Sequence, residues 1–285
     1  MGLRIQNNVE AFNAHRQLTA TASKAAKSME KLSSGYRVNR SADDAAGLAI
    51  SEKMRGQIGG LGQAQRNAQD AVSLVQTGEG ALNEVHSMLQ RIRDLKVQYS
   101  NGTLEAGDKL SISNEVQQLG KEISDITTKT EFNGISLLNA GSVTFQVGSE
   151  ATDTIALTKT EMSGAVGTAG TGGLKEIIDV GGAATASAAD TAFAALTIDN
   201  IDDAIKNVSN ARSTFGAVQN RLEHRLNNLA TYQENLVSSE SRIRDVDMAS
   251  EMVNFTKLGI LQQAGTSMLA QANQSPQGVL ALLRG

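Results

Sequence analysis

The sequence predicts a mainly α-helical fold: an elongated antiparallel helical bundle or coiled coil built from paired N- and C-terminal regions, with a small β-hairpin and a short variable insert. Apolar residues recur at helical spacing over long stretches near both ends of the 285-residue chain. Pro276 is the single proline, so strong helix breakers are almost absent. Between the helical regions, short segments alternate apolar and polar residues, as strands do.

The longest pattern is a stripe of seven apolar residues at strict seven-residue spacing. Such a repeat places every member on one side of a helix that winds around a partner. At 1.5 Å per residue the stripe spans roughly 60 Å, well beyond an ordinary globular helix of ~11 residues. The members of this predicted bundle seam are Ile201, Val208, Phe215, Leu222, Leu229, Leu236 and Ile243.

Two further stripes can cover the first. In one of them the apolar residues are spaced alternately by three and four positions. The first half of this stripe consists mostly of small residues, which lets helices approach closely. Its members are Leu61, Ala64, Ala68, Ala71, Val75, Gly78, Leu82, Val85, Leu89 and Ile92. The other is Ile112, Val116, Leu119, Ile123 and Ile126. Three long stripes favour a slender bundle over a compact α-domain.

The helical elements follow in order. The first helix is predicted over residues 9–33, because Gly35 can take the left-handed conformation that ends a helix. Ser41 is a predicted N-cap for the second helix, with Asp44 three residues later. This helix carries the second stripe, and glycines between residues 56 and 62 predict a bend or a close backbone contact.

The second helix should stop near Asn101-Gly102, and Asn133-Gly134 is a turn signal after the third. The segments SVTFQV at 142–147 and DTIALT at 153–158 predict two strands of a hairpin. From residue 163 to 197, 24 of 35 residues are Ala, Gly, Ser or Thr, which predicts an exposed insert with little to bury. Helical character returns at Asp199.

Apolar residues lie unusually close to both termini, where chains are commonly loose. Examples are Val9, Phe12, Val253 and Leu261. They either pack on the protein's own core or wait for a partner. We favour the second interpretation, since a thin helical pair buries little surface alone.

Composition excludes several function classes. The net charge of −4 gives no case for nucleic acid or an anionic membrane as a partner. Cysteine is absent, which excludes disulfides, thiolate metal sites and a cysteine nucleophile. No cofactor is expected, since His15, His86 and His224 lie in separate elements without metal-ligand spacing.

Other chemistry is equally poorly supported. Asp43 and Asp44 are interpreted as helix-start charges rather than an acid–base pair. An enzyme on a helical scaffold would need a polar site in residues 141–198, which contain no His or Cys. No apolar run is long enough to span a membrane, and the N-terminus lacks a secretory signal pattern.

Several sequence blocks resemble those of one protein family, and they occur in the same order along the chain. They are IQNNV at 5–9, LSSGYRVN at 32–39, DDAAGLAI at 43–50, QTGEGAL at 76–82, EFNG at 131–134, ARSTFGAVQNRLE at 211–223, SRIRDVDMA at 241–249 and QANQ at 271–274. They closely resemble bacterial flagellin over roughly residues 1–140 and 200–285.

The resemblance implies three regions. Residues 1–42 with 246–285 correspond to inner filament-core segments, whose helices pair and become ordered on assembly. Residues 43–140 with 199–245 correspond to a helical bundle domain, with a hairpin near 141–160. Residues 161–198 correspond to a short variable surface insert.

The resemblance also implies a non-enzymatic subunit of the extracellular bacterial flagellum, exported without a cleaved signal and polymerised into the motility filament. The implied partners are other copies of the chain, a flagellar export chaperone, the filament cap protein and hook-associated junction proteins. A flagellin-like hook–filament junction protein is the alternative.

One further stretch, LQRIRDL at 89–95, resembles the segment by which many flagellins are recognised by Toll-like receptor 5. The resemblance makes Leu89, Arg91, Leu95 and Glu115 candidates for contact with that receptor or with another subunit. Asp94 and Lys96 depart from the family pattern.

Overall fold

The computed structural model describes residues 8–159, 174–183 and 185–284, with the side chains of Ala186 and residues 275–284 left out. The elements are α1 (Val9–Ser34), α2 (Ala45–Tyr99), α3 (Ala106–Lys129), β1 (Glu131–Phe132), β2 (Ile135–Ser136), β3 (Gly141–Gln146), β4 (Thr154–Lys159), α4 (Leu174–Gly181), α5 (Ala186–Ala195), α6 (Ile198–Arg244) and α7 (Met248–Arg284). The mainly α fold with a small hairpin is therefore confirmed. None of the described helices is both long and apolar enough to cross a membrane.

The chain divides into two compact units. Residues 59–233 form the first, called the bundle unit here. Residues up to 58 and those from 234 onward form the second, called the terminal unit. The predicted motif at 5–9 lies largely outside the described residues, as does the first part of the predicted insert.

Helices α2 and α6 run antiparallel in the bundle unit. Arg93 pairs with Asp202 at 2.6 Å, whereas Gly78 lies against Phe215, further along α6. A Cβ added at Gly78 would lie 2.4 Å from Cε1 of Phe215. The small residues of the predicted stripe thus allow the close helix approach that the sequence suggested.

The two long stripes form the core of this unit. Every member of the predicted α2 stripe, from Leu61 to Ile92, is buried. The first five seam residues of α6, from Ile201 to Leu229, are buried as well. From α3, Ile112, Val116 and Ile123 join them. Burial of each large side chain contributes about 1.5–3 kcal/mol, so this seam stabilises the unit along its length.

The hairpin forms where the alternation predicts it. Strands β3 and β4 are antiparallel, with Phe145 opposite Ile155 and Val143 opposite Leu157. Ile155 and Leu157 face the core while their neighbours are exposed. The turn between β3 and β4 contacts α2, since a Cβ added at Gly60 would lie 3.1 Å from Cβ of Ser149 in that turn. The glycine cluster therefore makes a close contact, and α2 is one helix across it.

The sequence missed a second, tight hairpin. The two-residue strands β1 and β2 pair on either side of Asn133 and Gly134, both with positive φ. The turn signal was correct, and two left-handed residues in sequence are what a two-residue hairpin loop requires.

The predicted exposed insert is wrong for its described part. Helices α4 and α5 pack on α3 and bury six side chains: Leu174, Ile177, Val180, Ala189, Phe193 and Leu196. The crossing of α3 and α4 is a glycine contact, because a Cβ at Gly120 would lie 2.6 Å from the carbonyl oxygen of Ile177. Small residues here permit burial instead of preventing it.

A buried lysine holds α5 in place. Lys96 is 6% exposed, and its ammonium donates hydrogen bonds to the carbonyls of Phe193 and Ala194 at 2.7 and 3.3 Å. These are the unpaired carbonyls at the C-terminal end of α5, where a cation is favourable. Tyr99 donates a hydrogen bond to Asp190 at 3.0 Å beside it. Burial lowers the pKa of Lys96, and the charge of Asp190 opposes that shift.

We expect Gly78→Ala to destabilise the chain by about 1–3 kcal/mol, because the added methyl overpacks the contact with the buried ring of Phe215. Urea unfolding of the full chain, followed by far-UV circular dichroism, measures this. The matched control is Gly80→Ala on the same helix, where the added Cβ meets no atom of the described residues within 4 Å. That control should gain about 0.5–1 kcal/mol. Equal stabilities would contradict the close approach.

We expect Gly120→Ala to loosen α4 and α5 without unfolding the long helices, because the new methyl would displace the backbone of α4. Amide hydrogen exchange in residues 174–183 and 185–196 should accelerate at least tenfold, a free-energy change of about 1.4 kcal/mol. Gly107→Ala in α3 is the control, since a Cβ there contacts nothing within 4 Å. Unchanged exchange in Gly120→Ala would show that α4 is not seated on this glycine.

Candidate assembly surfaces

The terminal unit is organised by an antiparallel pair of helices, α1 and α7. The side chain of Ser28 donates a hydrogen bond to Glu251 near one end of the pair. Near the other end, Asn8 donates to the carbonyl of Ala272 at 2.7 Å. Between these two hydrogen bonds, the side chain of Leu18 on α1 packs against Gly265 on α7. A Cβ added at Gly265 would lie 3.2 Å from Cδ1 of Leu18. The two extremities of the chain thus pair, as the sequence suggested.

Few side chains, most of them small, are buried between these two helices. The buried residues of α1 are Thr21, Ala25 and Ser28, which carry small side chains. The described part of α7 has no fully buried residue, and its half-buried residues toward α1 recur at heptad spacing: Glu251, Phe255, Leu258, Gly265, Leu269 and Ala272. The contact therefore fixes the register of the two helices but buries little apolar area.

Helix α7 has a second apolar face, on the side away from α1. Val253 and Ile260 are 69% and 64% exposed on this face, and Met268, which is 65% exposed, lies at its edge in line with Leu261. Met252 and Leu261 flank it and line a shallow concavity of about 470 Å³ together with Val253 and Ile260. On α1, Phe12 is 72% exposed. A helix that is apolar on two faces is normally covered on both.

The connections beside this pair are tied together by backbone hydrogen bonds. Gly35 has φ of 75° and ends α1, as predicted. Its carbonyl accepts a hydrogen bond from Val246 N–H at 3.0 Å, and Arg37 N–H donates to the carbonyl of Arg244 at 2.7 Å. Tyr36 and Asp245 form a single antiparallel bridge between these two bonds. The segment after α1 is thus paired with the segment between α6 and α7.

Arg244 is the central side chain of this junction. It is 9% exposed, it pairs with Glu52 at 2.6 Å, and its guanidinium lies 4.8 Å from the centre of the Tyr36 ring. The sequence signalled this residue only as part of the motif at 241–249. The heptad pattern does not reveal it, because its partners are Tyr36 in the segment after α1 and Glu52 near the start of α2, and neither is a seam residue.

The start of α2 differs from the prediction by a few residues. Asp44, and not Ser41, accepts the capping hydrogen bond from Gly47 N–H at 2.9 Å, and α2 begins at Ala45. Asp43 accepts from the backbone N–H groups of Arg40 and Asn39. The Arg40 hydrogen bond is the main cause of a lowered pKa of Asp43. Both carboxylates therefore serve the helix start, as interpreted from the sequence.

The seven-residue seam is not uniformly buried. Leu236 and Ile243 belong to the terminal unit and are only half-buried, whereas the five preceding members are in the core of the bundle unit. The regular spacing gave no sign of this change.

The four contact candidates separate into two groups. Arg91 and Glu115 form an ion pair at 2.8 Å between α2 and α3, with side chains 56% and 44% exposed. Leu89 and Leu95 are 0% and 2% exposed. The prediction that these two leucines lie on a contact surface is wrong, because they pack in the core of the bundle unit. Arg91 and Glu115 are accessible on its surface.

Comparison with known proteins agrees with this architecture. Residues 5–144 match the bacterial flagellin N-terminal helical region, and residues 198–283 match the bacterial flagellin C-terminal helical region. Flagellin from Halalkalibacterium halodurans is 51% identical, with 98% of this chain and 99% of that protein covered.

Two other relatives align over nearly their whole length. Flagellin from Bacillus subtilis is 49% identical, with coverage of 99% and 100%. The flagellar filament 33 kDa core protein of Treponema phagedenis is 44% identical, with coverage of 98% and 99%. Because both helical regions match and these relatives align from end to end, the chain belongs to the bacterial flagellin family.

Proposed function

We propose that this chain polymerises into the helical filament of the bacterial flagellum, outside the cell, and that the polymer serves swimming motility. The observation that carries the proposal is the second apolar face of α7, around Val253, Ile260 and Met268. When a patch on one copy binds a different patch on the next copy, and the repeated rotation does not close into a ring, the copies form a helical polymer.

The exposed side chains supply a substantial part of the free energy that such a polymer requires. Each large apolar side chain that becomes fully buried contributes about 1.5–3 kcal/mol. Phe12, Val253, Ile260 and Met268 together therefore offset much of the estimated 4–15 kcal/mol lost in association. Each copy is held by several neighbours, so modest contacts suffice for a stiff tube.

Family membership supports the remaining parts of the proposal. The chain acts as a structural subunit and not as an enzyme. It leaves the cytoplasm through the flagellar export apparatus without a cleaved signal, aided by an export chaperone. It adds beneath a filament cap protein, and hook-associated junction proteins connect the filament to the hook. The terminal helices acquire their stable order when neighbouring copies cover them.

A flagellin-like junction protein is the alternative role. Seeded growth separates the two, because a filament subunit elongates short seeds into micrometre-long tubes. A junction protein ends growth after a few layers. The thermodynamic readout is the critical concentration, meaning the monomer concentration left in equilibrium with the polymer.

We expect Ile260→Ser to raise the critical concentration about 10- to 100-fold, because the variant removes roughly 1.5–3 kcal/mol of apolar burial from each contact. Sedimentation of seeded reactions measures the monomer that remains. Monomer stability should not change, since Ile260 is 64% exposed before assembly.

Val97→Ser is the matched control, because Val97 is 53% exposed and lies in the bundle unit instead of on α7. It should polymerise like the wild type. A normal critical concentration for Ile260→Ser would contradict the proposed role of the second apolar face.

We also propose that the Arg91–Glu115 surface is a contact with a neighbouring subunit, and with Toll-like receptor 5 in an animal host. Two accessible, paired charges held on two helices give a partner a defined pattern of donors and acceptors. Leu89 and Leu95 support this surface from below, as buried neighbours on α2.

We expect Arg91→Ala to raise the critical concentration by up to about fivefold, as loss of an exposed ion-pairing group implies. The same variant should weaken the response of cells that carry the receptor. Arg66→Ala is the control, because Arg66 lies on α2 and, within the described ranges, its side chain donates hydrogen bonds only to Gln63. If Arg91→Ala and Arg66→Ala match the wild type in both assays, neither contact uses this surface.

A further inference from the structure

A polar concavity of about 510 Å³ lies between the β3–β4 turn and α6 in the bundle unit. Thr152 and Asp153 line it from the hairpin side. The α6 side supplies two arginines, a histidine and an amide: Arg221, Arg225, His224 and Asn228. We call this concavity the basic notch.

One of the two arginines is already satisfied. Arg225 donates a hydrogen bond from Nε to the carbonyl of buried Val147 at 3.1 Å, and it forms an ion pair with Asp153 at 3.0 Å. The side chains of Arg225 and Asp153 are both about one-third exposed, at 33% and 36%. This pair fixes the wall of the notch and uses the one carboxylate that lines it.

The second arginine has no counter-charge among the described residues. Arg221 lies one helical turn before Arg225 on α6, a spacing at which like charges repel. Within the described part of the chain, Arg221 has no hydrogen-bond or ion-pair partner, and His224 has none either. The notch therefore keeps one uncompensated guanidinium and a free imidazole on the same face.

This positive site stands in an acidic surrounding. The bundle unit has 13 Lys and Arg residues against 20 Asp and Glu residues, a net charge of −7. Exposed carboxylates without an ion pair among the described residues include Asp70, Glu84 and Glu122. Every copy of the chain thus carries a cationic notch and several unpaired acidic side chains.

We propose that the basic notch receives a carboxylate from a neighbouring copy of this chain in the filament. The proposal rests on the polymerisation proposed above. The guanidinium of Arg221 offers a planar fork of donors that matches a carboxylate, and the amide of Asn228 is a further donor. Because the chain forms a polymer with unlike contacting patches, notch and carboxylate belong to different copies and can both be satisfied.

The first test compares two charge reversals on α6 in seeded polymerisation. Arg221→Glu places a negative charge in the notch, while Lys206→Glu changes an exposed, unpaired lysine elsewhere on the same helix. At ~0.05 M salt we expect a critical concentration at least fivefold higher for Arg221→Glu, and less than twofold higher for Lys206→Glu. At ~1 M salt, where the screening length is about 3 Å, the two should converge.

Equal critical concentrations for the two reversals at low salt would overturn the inference, as would an Arg221→Glu defect that salt does not reduce. Circular dichroism of the monomers shows whether both fold. If Arg221→Glu does not fold, Arg221→Gln takes its place, with an expected increase of about two- to fivefold. A wild-type chain that fails to elongate seeds would overturn the proposed function instead.

The second test is a cryo-electron microscopy map of the wild-type filament. We expect a carboxylate oxygen of another copy within 4 Å of the Arg221 guanidinium. A notch that is open to solvent, or filled by the same chain, would overturn the inference. Binding of inorganic phosphate to the monomer, together with normal polymerisation of Arg221→Glu, would also overturn it and identify a small-anion site.

Discussion

The second apolar face of α7 is the constraint on which this account depends. One side of α7 pairs with α1, and the other side presents Val253, Ile260 and Met268 to water. Large exposed apolar surfaces of this kind mark interaction sites. The bundle unit differs, since its long helices meet along a fully buried seam and its hairpin and short helices pack on that core. The chain thus combines one unit with a continuous buried core and one that leaves large apolar side chains exposed.

In the terminal unit, the segment after α1 is hydrogen-bonded to the segment between α6 and α7. The α1–α7 contact buries small side chains. The segments beside it are joined by backbone hydrogen bonds and by the ion pair of Arg244 with Glu52, whose side chain is 57% exposed. Such polar contacts contribute modestly, about 0.5–1.5 kcal/mol for a typical hydrogen bond. They suit a segment that is held in register before assembly and stabilised further by it. The two units carry opposite net charges, +3 for the terminal unit and −7 for the bundle unit.

Periodic features were predictable from the sequence, and contacts between non-periodic segments were not. The α2 stripe, the end of α1 at Gly35 and the β3–β4 hairpin follow from spacing and turn chemistry, which act locally. The packing of α4 and α5 does not follow from composition, because a stretch rich in Ala and Gly suggests little surface to bury. The structure buries Phe193 and brings Gly120 against α4 by means of those small residues. Leu95 is buried, although the motif that contains it suggested a contact residue. A sequence motif gives the residue type at a position and does not tell whether the side chain is exposed.

The most direct test of the unpartnered face uses the natural absence of cysteine. Ala264→Cys places a single thiol on the outward side of α7, at an exposed position where the change is small. Its rate of reaction with a charged thiol reagent reports access of water to this face. We expect fast modification in the monomer and at least hundredfold slower modification in the filament, while Val97→Cys reacts at similar rates in both. Fast modification of the Ala264→Cys variant in intact filaments would contradict the account, because the face would then remain uncovered in the polymer.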